Sequence, residues 1–362
     1  MSGLHKFIVE ERRGIVLEIS ELSFYKKHGY LEYPKIIQLE ITKRCPLHCP
    51  QCYKDLVGKQ DIDYIFLKKF IENESKNGLR SIMVNGGEPL CYPYFCDFLQ
   101  EANFYGIKTN VFTSGFGLNK QVIDAVVKND CFLNISLNGS TNEINKYSRD
   151  GYEYAMKAIQ LLYSMDAKYG INWVARRDNV KDFPNIIKLA ERYNANNILI
   201  VGNKISHLGN VQEAMELEDY VYLVNVIKKY NNSKGKVQLL LQRCFTTLND
   251  MIQDNVKGRL NKGCSAGISS IAMNVAGEFM PCAHMYYPEK FASVNEYWLQ
   301  SKILKEFRKF NIKSGLCVDC LRKENCFFCR AAFEESYNDF SRGVNTCLIN
   351  KYHKTEGRDN IV

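Results

Sequence analysis

Six short apolar runs, each followed by a longer amphipathic stretch, set the strongest limit on how this 362-residue chain can fold. The runs are Ile36 to Ile41, Ser81 to Asn85, Lys108 to Thr113, Phe132 to Leu137, Ile171 to Ala175 and Asn197 to Val201. They are rich in Ile, Val, Leu and Phe, as strands covered on both faces are. Between them, apolar periodicity predicts helices over Tyr64 to Asn77, Tyr94 to Tyr105, Lys120 to Lys128, Tyr152 to Met165 and Phe183 to Tyr193. Each strand-to-strand interval fits a crossover unit, so the chain reads as an α/β fold with a parallel sheet wrapped by helices. Ahead of this core, Phe7 to Leu22 reads as a small hairpin around Arg13 and Gly14. After the sixth strand, Gly202 to Asn210 reads as a loop, Leu217 to Tyr230 as a helix, and Asn231 to Gly235 as a turn.

With 46% hydrophobic residues, 24% charged residues and eight prolines, the composition supports a sizeable core rather than disorder. No apolar run reaches bilayer length and the first residues lack the apolar stretch of a secretion signal, so a cytoplasmic protein is expected. In that compartment, 14 cysteines point to metal binding or chemistry rather than a disulfide scaffold. The net charge of +8 is spread along the chain without a basic block, which gives no sign of a nucleic-acid or membrane partner.

Cys45, Cys49 and Cys52 follow the first strand directly, in the spacing C-x3-C-x2-C. The carboxyl ends of parallel strands are where such sheets carry their chemistry. Three thiolates are one short of the usual ligand count of a 4Fe-4S cluster, leaving one iron able to take a small ligand's amino and carboxylate groups. Zinc instead favours four ligands in paired C-x2-C knuckles, and this loop offers a single triplet.

These residues resemble the radical S-adenosylmethionine superfamily. Asn85, Gly86, Gly87, Glu88 and Pro89, at the end of the second strand, look like its glycine-glycine-glutamate segment. The resemblance implies a partial (β/α)6 TIM-like barrel in which the glycines let the backbone approach the methionine part of the cofactor and Glu88 receives its ammonium. It further implies that Ser136 and Arg149 bind the cofactor's ribose or carboxylate. Asn138 stands where relatives often carry an acid. Gln51 replaces the usual aromatic or histidine before the third cysteine, with Tyr53 beside it as a stacking alternative.

Beyond residue 260 the cysteines fall as Cys264, Cys282, the run Cys317, Cys320, Cys326 and Cys329, and then Cys347, with Gly277 five positions before Cys282. This resembles the SPASM extension, which holds two auxiliary iron-sulfur clusters. The run departs from that pattern, having two residues, Phe327 and Phe328, between its last cysteines instead of three. The resemblance assigns Cys264, Cys282 and Cys329 to the first auxiliary cluster, and Cys317, Cys320, Cys326 and Cys347 to the second. The fourth ligand of the first stays open among Cys244, His284, solvent and substrate. A zinc ribbon of Cys317, Cys320, Cys326 and Cys329 is the structural alternative. Cys91, Cys96, Cys131 and Cys244 read as core thiols, with Cys91 and Cys244 also candidate hydrogen-atom donors.

The domain reading is an extension over 1–35, the barrel over 36–235, a connecting segment over 236–263, a small cysteine-rich metal-cluster domain over 264–350 and a polar tail over 351–362. The implied cofactors are three 4Fe-4S clusters and S-adenosylmethionine, cleaved reductively to methionine and a 5'-deoxyadenosyl radical. The implied activity is oxidative modification of a ribosomally made peptide, by a thioether or carbon-carbon cross-link. Epimerisation, oxidative decarboxylation and formylglycine formation on a sulfatase are the alternatives within this chemistry, and a non-catalytic zinc or iron-sulfur module is the alternative outside it. A precursor peptide and a flavodoxin- or ferredoxin-type electron donor are the expected partners.

Overall fold

All six apolar runs are strands, and each pairs in parallel with the next. They are β1 (Ile36–Glu40), β2 (Ser81–Asn85), β3 (Lys108–Thr113), β4 (Phe132–Ser136), β5 (Tyr169–Ala175) and β6 (Asn197–Gly202). The structure, a computed structural model, describes residues 19–58, 60–204, 214–252, 263–309, 311–320, 326, 328–333, 337–349 and 351. The helices in chain order are α1 (Ile19–His28), α2 (Tyr64–Asn77), α3 (Phe95–Phe104), α4 (Lys120–Lys128), α5 (Asn142–Asn145), α6 (Tyr152–Ser164) and α7 (Phe183–Arg192). They continue with α8 (Leu217–Asn232), α9 (Thr246–Ile252), α10 (Val294–Gln300) and α11 (Lys302–Lys309). No helix among the described residues is long and apolar enough to cross a membrane.

The parallel sheet extends past the six strands at both edges. Gln238–Leu241, β7, lies within the expected connecting segment and pairs in parallel with β6. Ser270–Met273, β8, lies within the expected cysteine-rich unit and pairs in parallel with β1, and Phe279–Met280, β9, turns back against it. The order is therefore β7-β6-β5-β4-β3-β2-β1-β8-β9. Short apolar segments such as Ile271 and Met273, both without exposure, are easily overlooked in sequence when the cysteines around them break the periodicity. The beginning of the chain also differs from expectation. Ile19 to Leu22 belong to α1 rather than a hairpin, with Glu21 in the first turn and Lys26, Lys27 and His28 in the last, each matched to the helix dipole. The rest of the expected hairpin, and the loop over 205–210, lie outside the described residues.

Strand alternation divides the sheet into two unlike faces. Ile37, Leu39, Ile82, Val84, Val111, Leu133, Ile135, Ile171, Ile198 and Ile200 join one core with helix residues such as Leu67, Phe98, Ile123, Ile159 and Ile186. Burying each such side chain stabilises the fold by about 1.5–3 kcal/mol. The other face carries Gln38 and Glu40 on β1, Asn85 on β2, Asn110 on β3, Asn134 and Ser136 on β4, and Asn172 on β5. The register aligns Glu40 with Asn85 and Ser136 with Asn172, so polar groups fall side by side across the strands. The sequence carries a trace of this alternation, because β1 to β5 each place at least one Gln, Glu, Asn or Ser on that face. The strands are thus apolar toward the helices and largely polar on the opposite face.

Because β8 covers the edge of β1, a chain ending at Lys262 leaves that edge unpaired and part of the core uncovered. Such a chain is expected to aggregate or lose cooperative unfolding, checked by size-exclusion chromatography and thermal circular dichroism. A melting midpoint equal to that of the full chain would show that the sheet does not need β8.

Candidate functional site

Cys45, Cys49 and Cys52 sit on the loop leaving β1, and the backbone of the β2 turn holds that loop in place. Gly87 N–H donates to Thr42 O at 2.7 Å and Glu88 N–H to Arg44 O at 2.7 Å. A Cβ on Gly86 would stand 2.5 Å from Thr42 O, and one on Gly87 would stand 2.3 Å from Arg44 O. The two glycines are therefore required by contact with the cysteine loop itself. Gly86 also adopts φ +147°, inside the region that favours glycine. On its other side the loop is tied to Asp61, which accepts from Thr42 Oγ1 at 2.6 Å and from Arg44 Nε at 2.9 Å.

Burial pushes the Cys45 thiol up to about 12, with Glu88, Cys49 and Cys52 adding to the rise and the backbone at Leu47 opposing it. Cys52 is raised by burial and partly relieved by its backbone contact at Lys54 and by Arg149. Metal must displace protons from such thiols, so ligation releases them.

Glu88 is 1% exposed and its carboxylate is fully engaged. Thr113 Oγ1 donates to it at 2.5 Å, Ser114 N–H at 2.7 Å, Leu90 N–H at 3.2 Å, and the Ser114 hydroxyl also donates. A carboxylate has about four lone-pair sites, and here four donors fill them. Burial raises its pKa while these donors lower it. In this geometry Glu88 is a strut between the ends of β2 and β3, and an ammonium would have to exchange for one of its present partners.

Asn138, fully buried, is the corresponding hub past β4. Its Nδ2 donates to Gln51 Oε1 at 3.0 Å and Ser148 Oγ at 2.8 Å, and its Oδ1 accepts from Val174 N–H at 3.1 Å. Gln51, next to the third cysteine, is thereby fixed to the ends of β4 and β5. An aspartate at 138 could not donate to both Gln51 and Ser148, which gives the departure from the expected acid a physical reason. Ser136 is 5% exposed at the end of β4. Arg149 lies close to Cys52 and Tyr53, and its Nε is buried without a hydrogen-bond partner. Cys91 is half-buried in the short turn Pro89–Cys91, its thiol raised by burial and by Glu88.

In the second group, Cys244, one of the candidates for the open fourth ligand position, lies with the other thiols. It hydrogen-bonds Cys329 and lies in the electrostatic neighbourhood of Cys264 and Cys282. Cys264 is pushed up by burial and then by Cys244 and Cys282. Four thiols thus converge, packed among Ala266, Met285, Phe307 and Tyr337. Cys317 has other neighbours, Cys347 and Cys320, and its Sγ accepts from Val344 N–H at 3.5 Å. Cys329 therefore keeps company with Cys244 and not with the Cys317 and Cys320 knuckle, which argues against the zinc ribbon. Among the described residues no three Cys, His, Asp or Glu side chains converge on one metal ion. Ligands of a four-iron cluster stand further apart, because each binds a different iron. Of the remaining thiols, Cys131 is buried as expected, whereas Cys96 is exposed on α3.

The two groups meet through aromatic rings. The Tyr53 ring packs against the His284 ring with centroids 4.0 Å apart and planes tilted by 36°, one residue after Cys52 and two after Cys282 respectively. Cys282 also donates to Gln38 Oε1, and Lys54 pairs with Glu40 on the polar face of β1. Buried atoms without partners gather near this end of the sheet: Asn85 Oδ1 closing β2, Arg149 Nε, Asn203 Oδ1 just past β6, and His284 Nδ1. Orphaned buried polar atoms call for an occupant that supplies their hydrogen bonds. A small ligand with amino, carboxylate and hydroxyl groups beside a three-thiolate iron-sulfur cluster fits both the donor set and these orphans.

Residues 39–190 match the Radical SAM superfamily. The chain is 22% identical over 308 residues to a PqqA peptide cyclase of Rhizobium meliloti (strain 1021), covering 80% of both chains. Its fold resembles Streptococcus suis SuiB bound to the precursor peptide SuiA, with TM-score 0.74, 16% identity, and coverage of 86% of this chain and 75% of that one. It also resembles native anSMEcpe with bound AdoMet, with TM-score 0.66, 15% identity, and coverage of 90% of this chain and 100% of that one.

Placing a methyl group at residue 87 drives it into Arg44 O, so Gly87→Ala is expected to displace the cysteine loop. Overpacking of this kind costs about 1–3 kcal/mol. Anaerobic reconstitution followed by iron analysis should find the loss at the first cysteine group in a chain that still melts cooperatively. Full iron uptake would mean that the loop tolerates the shift.

Proposed function

We propose that this chain, a member of the radical SAM superfamily, is a peptide-modifying enzyme that cleaves S-adenosylmethionine reductively and forms a cross-link in a ribosomally made peptide. Its cofactors include S-adenosylmethionine and a 4Fe-4S cluster, for which Cys45, Cys49 and Cys52 are the ligands. When bound, these groups supply a reducing electron and a 5'-deoxyadenosyl radical that takes a hydrogen atom from the substrate. The protein's own part is to position, to exclude water and to tune charge. Arg149 and Ser136 offer polar contacts to the cofactor, Gly86 and Gly87 let the β2 turn close on the cysteine loop, and Glu88 anchors that turn to β3. Gln51, held by Asn138, fixes the backbone around the third cysteine, and Tyr53 closes the loop against His284.

The observation that carries the cross-linking reading is the convergence of Cys244 with Cys264, Cys282 and Cys329, joined to the first cysteine loop by the Tyr53 and His284 rings. Four thiolates make a fully ligated auxiliary cluster, able to accept the electron left when a substrate radical closes a new bond. In this reading Cys244 is its fourth ligand rather than a hydrogen-atom donor, which favours net oxidation over epimerisation. Cys317, Cys320, Cys326 and Cys347 hold the second auxiliary cluster, giving three clusters and about twelve irons. The likeness to a PqqA peptide cyclase over four-fifths of both chains supports a peptide substrate, as does the fold shared with a precursor-bound protein. A flavodoxin- or ferredoxin-type donor supplies the first electron, and the cytoplasm is the setting.

The test uses anaerobically reconstituted protein, dithionite and S-adenosylmethionine. Replacing Cys45, Cys49 and Cys52 together by Ala is expected to abolish 5'-deoxyadenosine formation, whereas Cys244→Ala is expected to lower iron by about one to four per chain while retaining that activity. Native 5'-deoxyadenosine yield from the triple variant would overturn the first assignment, and unchanged iron in Cys244→Ala would overturn the second.

A further inference from the structure

Lys204, just past β6, is 8% exposed, and its ammonium donates to Gly202 O at 3.0 Å and to Gln242 Oε1 at 2.8 Å. Both acceptors are neutral. A buried ammonium is costly unless a negative charge compensates it, and two carbonyl-type oxygens do not. Gln242 is itself fixed, with its N–H on Ile200 O at 2.9 Å and its own carbonyl accepting from Phe245 N–H at 3.0 Å and Asn249 Nδ2 at 2.9 Å. This short segment also carries Cys244, so the lysine and one member of the thiol group are set by the same turn. The positive charge reaches two more members, acting on both Cys282 and Cys329 and on the neighbouring His284. An ammonium has three donors, and two are accounted for.

We infer that Lys204 is a positioning residue for charge at the four-cysteine centre, where it compensates the negative cluster and makes that cluster easier to reduce. The inference rests on the reading of Cys244, Cys264, Cys282 and Cys329 as cluster ligands. Four thiolates outweigh the positive charge of a 4Fe-4S core, and reduction adds one more negative charge. Net charge and hydrogen bonding to the sulfurs are among the factors that set the potential of such a cluster. A nearby fixed cation stabilises the reduced form more than the oxidised form, so the potential rises. The step is the gain of one electron by the cluster, with no bond made or broken, and in the titration dithionite supplies that electron.

The experiment uses the full chain with Cys45, Cys49, Cys52, Cys317 and Cys320 replaced by Ala, which leaves the four-cysteine centre as the one cluster contributing to the spectra. Lys204→Met and Lys204→Arg are made in this background, and each is reconstituted, assayed for iron and sulfide, and titrated by electron paramagnetic resonance. Lys204→Met is expected to keep its iron but to reduce about tenfold less readily, about 59 mV lower for one electron. Lys204→Arg is expected to restore the parent potential. An unchanged potential in Lys204→Met overturns the inference, and so does loss of iron from a chain that melts normally, because Lys204 then acts in assembly rather than tuning. Adding Cys244→Ala to the background separates the two levels. If that change leaves both iron and spectra intact, the reading of the centre has failed and the Lys204 inference falls with it. If it removes the signal, only the Lys204 comparison decides.

Discussion

The arrangement of this molecule depends on one buried carboxylate. Glu88 binds four donors across the ends of β2 and β3, and its own backbone N–H reaches Arg44 O on the cysteine loop. Each of its two oxygens accepts from two of those donors, so losing one weakens the strut, by about 0.5–1.5 kcal/mol, without leaving either oxygen unpaired. The same residue therefore joins the sheet to the three-thiol loop, and the two glycines before it are small because that loop lies against them. Position at the site is set by backbone contacts over the carboxyl ends of the strands, where parallel α/β sheets place their ligands.

Much of this was legible in the sequence. The six strands follow from short apolar runs, and the first cysteine triplet needs only its spacing and its place after β1. Two features were not legible. β7 and β8 are short and sit where cysteines and polar residues break the pattern, so local periodicity could not separate them from loops. Asn138 looked like a departure from a pattern, and only the contacts with Gln51, Ser148 and Val174 explain an amide there. Cys244, 20 positions from Cys264 and in no spacing motif, was one of several candidates for the open ligand position, and the tertiary fold sets it beside Cys264, Cys282 and Cys329. A signal for the polar face was present, in the Gln, Glu, Asn and Ser residues that alternate with apolar ones on β1 to β5.

The cysteine-rich part of the chain is continuous with the barrel in a specific sense. β8 extends the parallel sheet beyond β1, and the loop that follows β9 brings Cys282 and His284 over the polar face of that strand. Loss of β8 would strip β1, the strand from which the first cysteine loop leaves, of its parallel partner, whereas a single thiol change leaves that pairing in place. Burial raises the thiols of Cys264 and Cys282 in this part of the chain, so any metal bound there must displace their protons.

The contact of Tyr53 with His284 is a direct physical link between the two cysteine groups. Each ring belongs to a loop that carries a thiol, Cys52 on one side and Cys282 on the other, and the rings lie 4.0 Å apart. His284 is held neutral by burial and by the nearby positive charges of Lys204 and Lys54, so the contact joins an uncharged imidazole to a phenol whose own ionisation burial opposes. Around the second group the cations Lys204 and Arg330 lie near the thiols, Lys204 acting on Cys282 and Cys329 and Arg330 on Cys264, so burial, which raises these thiols, is opposed by nearby positive charge. The neutral ring pair and the cation-flanked thiols therefore meet in one buried region, in which apolar packing and fixed cations act on the same sulfur atoms.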